Sequence, residues 1–189
     1  MSEIPARFPT AQGAENRKFL DALIGVCGDR GQRAALRRYW SDATRHDAYP
    51  VLGRLRAIGN EPRALVAALF AEHPYHSDSA RSFGQTCLRL AGGEIENYES
   101  HFRRLLACDS LDDLAAPVHR AIRRASREGA GLPVNYLRLL KDLWAWKDYP
   151  AHQAYYQEHG WDDVKTRWAQ DFWQAPAEAI NTDPVSEPL

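Results

Sequence analysis

The spacing of the apolar residues constrains the fold of this chain more than any other feature. Apolar side chains recur three or four residues apart in segment after segment, as they do on the buried face of an amphipathic helix. No segment alternates apolar and polar residues as a half-buried strand does, and no Asn-Gly or Asp-Gly pair marks a hairpin. The sequence therefore predicts an all-α protein, a compact bundle of about eight to ten helices.

Prolines and glycines divide this pattern into separate helices. Proline is favoured in the first turn of a helix, where no hydrogen bond is lost, and glycine is favoured just after the last turn. Pro117 is expected to restart or kink the helix that contains it. The expected helices cover about 15–27, 30–40, 50–58, 62–73, 82–91, 94–107, 110–128 and 133–147, followed by a last helix with Trp161, Val164, Trp168 and Phe172 on one face.

A chain of 189 residues suits one domain or two small lobes. The sequence predicts a helical domain over residues 14–173, with 14–107 and 109–173 as the lobes if the domain divides. Residues 1–13 and 174–189 lack the helical apolar pattern, and the second segment has three prolines and three acids with no base. We therefore expect both ends to be flexible termini.

The cysteines indicate a reducing compartment. Cys27, Cys87 and Cys108 are odd in number and form no CxxC pair, which does not suit a disulfide framework. No apolar segment approaches the roughly 20 residues of a membrane span, and the first ten residues lack the apolar core of a secretion signal. The sequence thus predicts a cytoplasmic protein with reduced thiols and no membrane partner.

Four arginines lie on one face of the helix expected at 110–128. Their spacing is i, i+3, i+4 and i+7, and no acid interrupts residues 118–127. Such guanidinium groups repel one another, so the pattern favours a polyanion outside the chain, and the planar fork of arginine suits a phosphate backbone. The four residues are Arg120, Arg123, Arg124 and Arg127.

A second group of arginines lies along the helix expected at 30–40. It consists of Arg30, Arg33, Arg37 and Arg38, with Asp29 or a facing acid as an alternative partner for Arg30 or Arg33. The net charge of the whole chain is nevertheless −1, whereas a free-standing nucleic-acid binder usually has a clear basic excess. Any nucleic acid would therefore be held by local patches, within an assembly rather than by the chain alone.

Five sequence segments extend this interpretation to a family. In order they are FLDALIGVCGDRGQRAALRRYW at 19–40, SFGQTCLRLA at 82–91, HFRRLLAC at 101–108, GLPVNYLRLLKDLWAW at 131–146 and KTRWAQDFW at 165–173. Each is weak alone, but together, in this order and spacing, they resemble the CasB-type small subunit of the type I-E CRISPR Cascade complex. The resemblance covers about 19–173, nearly the whole expected folded part.

This resemblance implies an all-α protein with no catalytic activity and no cofactor. It implies copies that associate head to tail along an RNA-guided complex, with the backbone and large Cascade subunits, a second copy, guide RNA and target DNA as partners. The basic surface would help to hold the displaced non-target strand and so stabilise the R-loop. The positions to which it points are Arg37, Arg38, Arg63, Arg120 with its neighbours, and Lys147.

Two other functions fit the same residues less well. A helical adaptor that binds only protein stays open, and it would show no DNA binding at low salt. An all-α nuclease is disfavoured because none of the seven histidines follows an arginine by five to seven residues, and no Gly-rich phosphate loop occurs.

Metal sites and base-stacking aromatics are also disfavoured. Pro74 disrupts the HxxH spacing of His73 and His76, and the His46-Asp47 pair lacks the further ligands of a phosphohydrolase. Six aromatic side chains near the C-terminal end recur at helical spacing, so packing in the core is expected rather than stacking on bases. They are Trp144, Trp146, Trp161, Trp168, Phe172 and Trp173.

Overall fold

A computed structural model describes residues 10–78, 82–92, 94–127 and 131–174 of the chain. Ten α-helices and two short 3-10 helices make up most of these residues, and no strand occurs among them, which confirms the all-α prediction. Of the termini expected to be flexible, residues 1–9 and 175–189 lie outside the described residues. The chain divides into two compact units, between Pro74 and Tyr75.

The first unit contains four α-helices. They are α1 (Thr10–Cys27), α2 (Arg30–Arg37), α3 (Tyr49–Arg54) and α4 (Glu61–Glu72), with 3-10 helices at Arg38–Trp40 and Arg45–Ala48 between α2 and α3. Helix α1 begins before the expected residue 15, because its first turns are polar and show no apolar period. Helix α3 ends before residue 58, because Arg56 adopts a left-handed backbone conformation with φ of 51° and Ala57 closes the turn onto the Leu52 carbonyl at 2.8 Å.

The second unit contains six α-helices. They are α5 (Phe83–Leu90), α6 (Glu96–Leu106), α7 (Leu111–Ala125), α8 (Tyr136–Lys147), α9 (Tyr149–Glu158) and α10 (Val164–Trp173). Pro117 lies inside α7 without ending it, and α7 ends at Ala125 rather than at residue 128. Helix α9 is absent from the sequence prediction, because His152 is its one fully buried side chain and so no apolar stripe reveals it.

Aromatic packing holds the second unit together. Helix α5 packs against α10, and the Phe83 and Trp168 rings lie with centroids 5.1 Å apart. The expected core positions of Trp146, Trp168 and Phe172 are confirmed, since each is at most 1% exposed. The prediction is wrong for Trp161, which is 55% exposed because α10 begins three residues after it.

Asp142 of α8 is buried in this core. It accepts a hydrogen bond from Trp168 Nε1 at 2.7 Å and lies 3.4 Å from Arg167 Nη2. Loss of water around the carboxyl group raises the pKa of Asp142 to about 6, although both partners favour its charged form. The indole donor explains why a carboxylate is found here, because a buried Trp N–H needs an acceptor.

Candidate nucleic-acid interface

Basic side chains gather where α6 and α7 pack against each other in the second unit. Around a pocket of about 100 Å³, α6 contributes His101 and Arg104 and α7 contributes Arg120 and Arg124. Arg123 lies on the same helix as the last two and is exposed. We call these five residues the α6–α7 cluster. Its concentration of guanidinium groups on one surface is what an anion with several oxygens requires.

The local structure of α7 fixes the direction of its arginines. Ser110 caps the helix by accepting a hydrogen bond from the Asp113 amide at 3.1 Å, while its hydroxyl donates to the Asp113 carboxylate at 2.7 Å. Acids in the first turn and arginines in the last turn complement the helix dipole. Val118, Ala121 and Ile122 are buried, so Arg120 and Arg123 project from the opposite, exposed face.

The arginines of the cluster differ in how strongly they are held. The Arg124 guanidinium lies 5.2 Å from the centroid of the buried Tyr98 ring, and the side chain is half-buried. Arg120 and Arg123 are exposed, and within the described ranges neither forms an ion pair with an acid. Arg103, by contrast, is paired with Glu99 at 2.6 Å and contributes little free charge. Arg120 and Arg123 therefore retain their charge for a ligand.

Arg127 departs from the predicted stripe. It lies in the turn after α7, where its amide donates to the Arg124 carbonyl at 2.9 Å. The residue is exposed, but the helical spacing that places the other three on one face does not extend to it. The expected four-residue stripe is thus three residues on the helix and one beyond its end.

The arginines at 33 and 37 contact the carboxyl end of α4 in the first unit. Arg33 Nε donates to the Ala71 carbonyl at 2.8 Å, and Arg37 Nε lies 3.3 Å from Glu72 Oε2. The last carbonyls of a helix lack partners within it and carry partial negative charge, so cations are stabilising there. These two arginines hold α2 against α4, and the facing acid, Glu72, pairs with Arg37 rather than with Arg30 or Arg33.

The remaining predicted positions vary in their surroundings. Arg38 pairs with Asp47 at 2.9 Å, and Arg63 packs 5.3 Å from the Phe19 ring centroid. Lys147 is exposed with its ammonium group 5.7 Å from the Trp144 ring centroid. Arg30 is exposed in the first turn of α2. Asp29 does not pair with Arg30 but caps the helix, where its side chain accepts a hydrogen bond from the Gln32 amide at 2.8 Å.

Sequence reasoning missed His101 and Arg104 as members of a basic surface. Both occur in the HFRRLLAC segment, three residues apart, so they share a face of α6. The spacing was visible, but that this face meets α7 follows only from the packing. In the part of the chain that the structure describes, no group of three or more His, Cys, Asp or Glu side chains is placed to hold a metal ion. No described helix is both long and apolar enough to cross a membrane.

Comparison with known protein families identifies the family of this chain. The family model described as CRISPR-associated protein Cse2 matches residues 32–173, which is most of the chain. The chain belongs to the Cse2 family. Membership of the Cse2 family makes it a structural subunit of a CRISPR Cascade complex, in agreement with the resemblance found in the sequence.

A solved structure supports the same assignment. The crystal structure of CasB from Thermus thermophilus matches with a TM-score of 0.62 and 27% sequence identity, covering 85% of this chain and 98% of that chain. No curated protein matches. The solved structure and the family model thus support the same family.

Proposed function

We propose that this Cse2-family chain is the non-catalytic small subunit of a type I-E Cascade complex, and that its α6–α7 cluster binds the backbone of the displaced non-target DNA strand. The observation that carries the proposal is the exposed pair Arg120 and Arg123, which have no acidic partner among the described residues. Arg104 and Arg124 line the adjoining pocket and extend the positive charge beyond this pair.

Arginine suits this task for chemical reasons. Its planar guanidinium group binds phosphate oxygens bidentately and keeps its charge at neutral pH. Contacts to phosphate carry no sequence information, which fits a complex whose guide RNA reads the sequence by base pairing. The cluster would therefore hold any displaced strand and so disfavour re-annealing of the target duplex.

The charge of the chain favours a role inside an assembly. With a net charge of −1, the isolated protein would bind DNA weakly, whereas a strand already tethered in the complex has a high effective concentration. The partners we propose are the backbone and large Cascade subunits, a second copy of this chain, guide RNA and target DNA. The proposed setting is the cytoplasm.

We rank the sequence-predicted binding positions by what already contacts them. Arg120 and Arg123 come first, followed by Arg30 and Arg127, and all four are exposed. Arg38, Arg63, Arg124 and Lys147 remain candidates whose side chains already contact neighbouring groups. Arg33 and Arg37 come last, because a strand would have to compete with the end of α4 for their guanidinium groups.

The test compares two double variants in the reconstituted complex. Arg120→Gln with Arg123→Gln removes two proposed phosphate contacts, and Lys18→Gln with Arg54→Gln removes the same charge from exposed positions in the first unit. We expect R120Q/R123Q to shorten the lifetime of the R-loop and to reduce the slope of log affinity against log salt by about 1.4, at roughly 0.7 for each single-strand contact. The K18Q/R54Q complex should behave as wild type.

Two results would contradict the proposal. An unchanged R-loop lifetime and salt slope in R120Q/R123Q would remove the role assigned to the cluster. Loss of this subunit from the purified R120Q/R123Q complex would show that the cluster binds a neighbouring protein, as the adaptor alternative requires.

The non-catalytic part of the proposal has its own test. Asp47 of the His46-Asp47 pair is bound by Arg38 at 2.9 Å, so its carboxylate is already engaged by a cation. We expect no cleavage of DNA or RNA by the purified protein in the presence of Mg²⁺ or Mn²⁺. Cleavage that disappears in a His46→Ala, Asp47→Ala variant would overturn this part of the proposal.

A further inference from the structure

Trp161 is exposed at the junction between α9 and α10. Its indole is 55% accessible, although tryptophan is among the side chains that gain most from burial. Three aromatic rings lie beside it: His159 with a centroid distance of 5.1 Å, Tyr156 at 5.7 Å and Tyr155 at 6.2 Å. The two tyrosine rings lie nearly perpendicular to the indole and the His159 ring is tilted by 31° against it, yet more than half of the Trp161 surface stays accessible.

The backbone around Trp161 is fixed by hydrogen bonds. The Trp161 amide donates to the Tyr156 carbonyl at 2.8 Å, and the Gly160 amide donates to the Gln157 carbonyl at 3.1 Å. Gly160 has φ of 67°, the left-handed conformation that ends α9 and turns the chain toward the next residue. The turn thus fixes the backbone at Trp161, whose indole is exposed.

An open pocket of about 580 Å³ adjoins this ring, within the range of small-ligand sites. Its lining includes Arg138, Tyr156, Asp162, Arg167 and Gln170 as well as Trp161. The lining carries both charges, and the Gln170 side chain donates to Asp162 at 2.8 Å, so hydrogen-bonding groups surround the aromatic face. Such a polar, charged pocket does not suit the apolar side chains of a docking helix.

We propose that Trp161 is a stacking platform for an unpaired nucleobase of single-stranded nucleic acid. The inference rests on the proposed function, because it requires a single strand bound to the second unit, which contains both the α6–α7 cluster and Trp161. Aromatic stacking is tolerant of sequence, as the support of an arbitrary displaced strand requires. Beside the ring, the pocket is lined by two arginines and two aspartates, which offer hydrogen-bond donors and acceptors to a stacked nucleotide without net charge; they are Arg138, Arg167, Asp162 and Asp171.

The experiment separates bases from phosphates. Binding of the full-length protein at low salt is measured by fluorescence anisotropy with oligo(dT) and with an abasic strand of the same length. We expect Trp161→Leu to weaken oligo(dT) binding about tenfold, which corresponds to about 1.4 kcal/mol. Binding of the abasic strand and the salt slope should stay unchanged, since no charge is removed.

Two further variants control for folding and for the loss of any exposed aromatic side chain. Trp161→Phe keeps a stacking ring and should retain most of the affinity, while Tyr49→Ala removes another exposed aromatic ring, 47% accessible, and should have no effect. Thermal unfolding of each variant confirms that the comparison is between folded proteins. If the W161L substitution disturbs the fold, W161F replaces it in the test. Because a smaller ring stacks less strongly, W161F should bind oligo(dT) somewhat more weakly than wild type and the abasic strand equally well.

The outcomes distinguish the two proposals. No change in oligo(dT) binding by W161L, while R120Q/R123Q does weaken it, would overturn the stacking platform and leave the phosphate cluster intact. Equal losses on both probes, or loss of a partner subunit from the complex formed by W161L, would mean a structural or protein-docking role and overturn it as well. If the wild-type protein binds neither probe at low salt, the stacking platform is overturned. The α6–α7 cluster would still be tested by the R-loop assay.

Discussion

Gly84 marks the closest approach between α5 and α10, and its replacement by alanine tests the packing of the second unit. A methyl group at Gly84 would press against the Trp168 carbonyl oxygen and lie 3.0 Å from Trp168 Cα and 3.1 Å from Asp171 Cβ. Two of these three atoms belong to the backbone of α10, which cannot rotate away as a flexible side chain would. The two helices must therefore separate to accommodate Gly84→Ala.

The size of the effect follows from three contributions. Overpacking of this kind costs about 1–3 kcal/mol, and a weakened Phe83–Trp168 contact, now at 5.1 Å, adds roughly 0.5–1 kcal/mol. Alanine recovers up to about 1 kcal/mol through its lower conformational entropy in the unfolded chain. We expect a net loss of about 2 kcal/mol and, for a unit of this size, a fall in Tm of roughly 8–16 °C.

A matched substitution in the first unit predicts the opposite sign. Gly25 lies inside α1, and a methyl group there would have no atom within 4 Å, so Gly25→Ala should stabilise the protein by about 0.5–1 kcal/mol. Chemical denaturation of the full chain, followed by circular dichroism, measures both variants. If G84A proves as stable as wild type or more stable, the close packing of α5 on α10 is refuted, whereas a destabilising G25A would contradict only the open surroundings of Gly25.

Three other predictions concern buried and ion-paired groups. Burial raises the pKa of Asp142 from 3.8 to about 6, so the folded protein loses stability as pH rises through that interval. Denaturant titrations should therefore show that the free energy of unfolding of Asp142→Asn rises relative to wild type by roughly 3 kcal/mol between pH 4 and 6. Arg33→Gln should lower the free energy of unfolding by about 1–3 kcal/mol, because it removes the charged donor to the last turn of α4, whereas Arg30→Gln should change it by less than about 0.5 kcal/mol. Iodoacetamide should modify the half-buried Cys108 first and Cys87 only on unfolding, since complete burial raises the pKa of Cys87 and blocks access; peptide mass mapping that finds Cys87 modified first would contradict this order.

The sequence predicted those parts of the fold that depend on local chemistry. Ser110 and the apolar spacing of Trp168 and Phe172 locate α7 and α10, because capping and burial leave a pattern over a few neighbouring residues. Helix α9 leaves no such pattern, because it is half-exposed and polar along most of its length. Trp161 was assigned to the core by continuing the spacing of α10 backwards across Asp163, the residue that caps that helix.

The sequence predicts where the basic surface lies but not which of its arginines are available to bind a ligand. The spacing of Arg120 and Arg123 correctly indicates one exposed helical face. Arg33 and Arg37 show nearly the same spacing, yet the groups that engage them, at Ala71 and Glu72, lie more than thirty residues away in the chain. Which arginines retain free charge therefore depends on tertiary contacts that no local pattern contains.

The pairing of α5 with α10 also determines when the second unit can become complete during synthesis. Helix α10 begins roughly 80 residues after α5, which a ribosome adds in about 4–16 s. During that interval α6 and α7 can pack against α5, but Phe83 lacks its partner Trp168 on α10. The first unit ends at Pro74, so all of its residues have been added before α5 begins. Slow codons or chaperone binding between residues 90 and 164 would therefore affect the yield of the second unit more than that of the first.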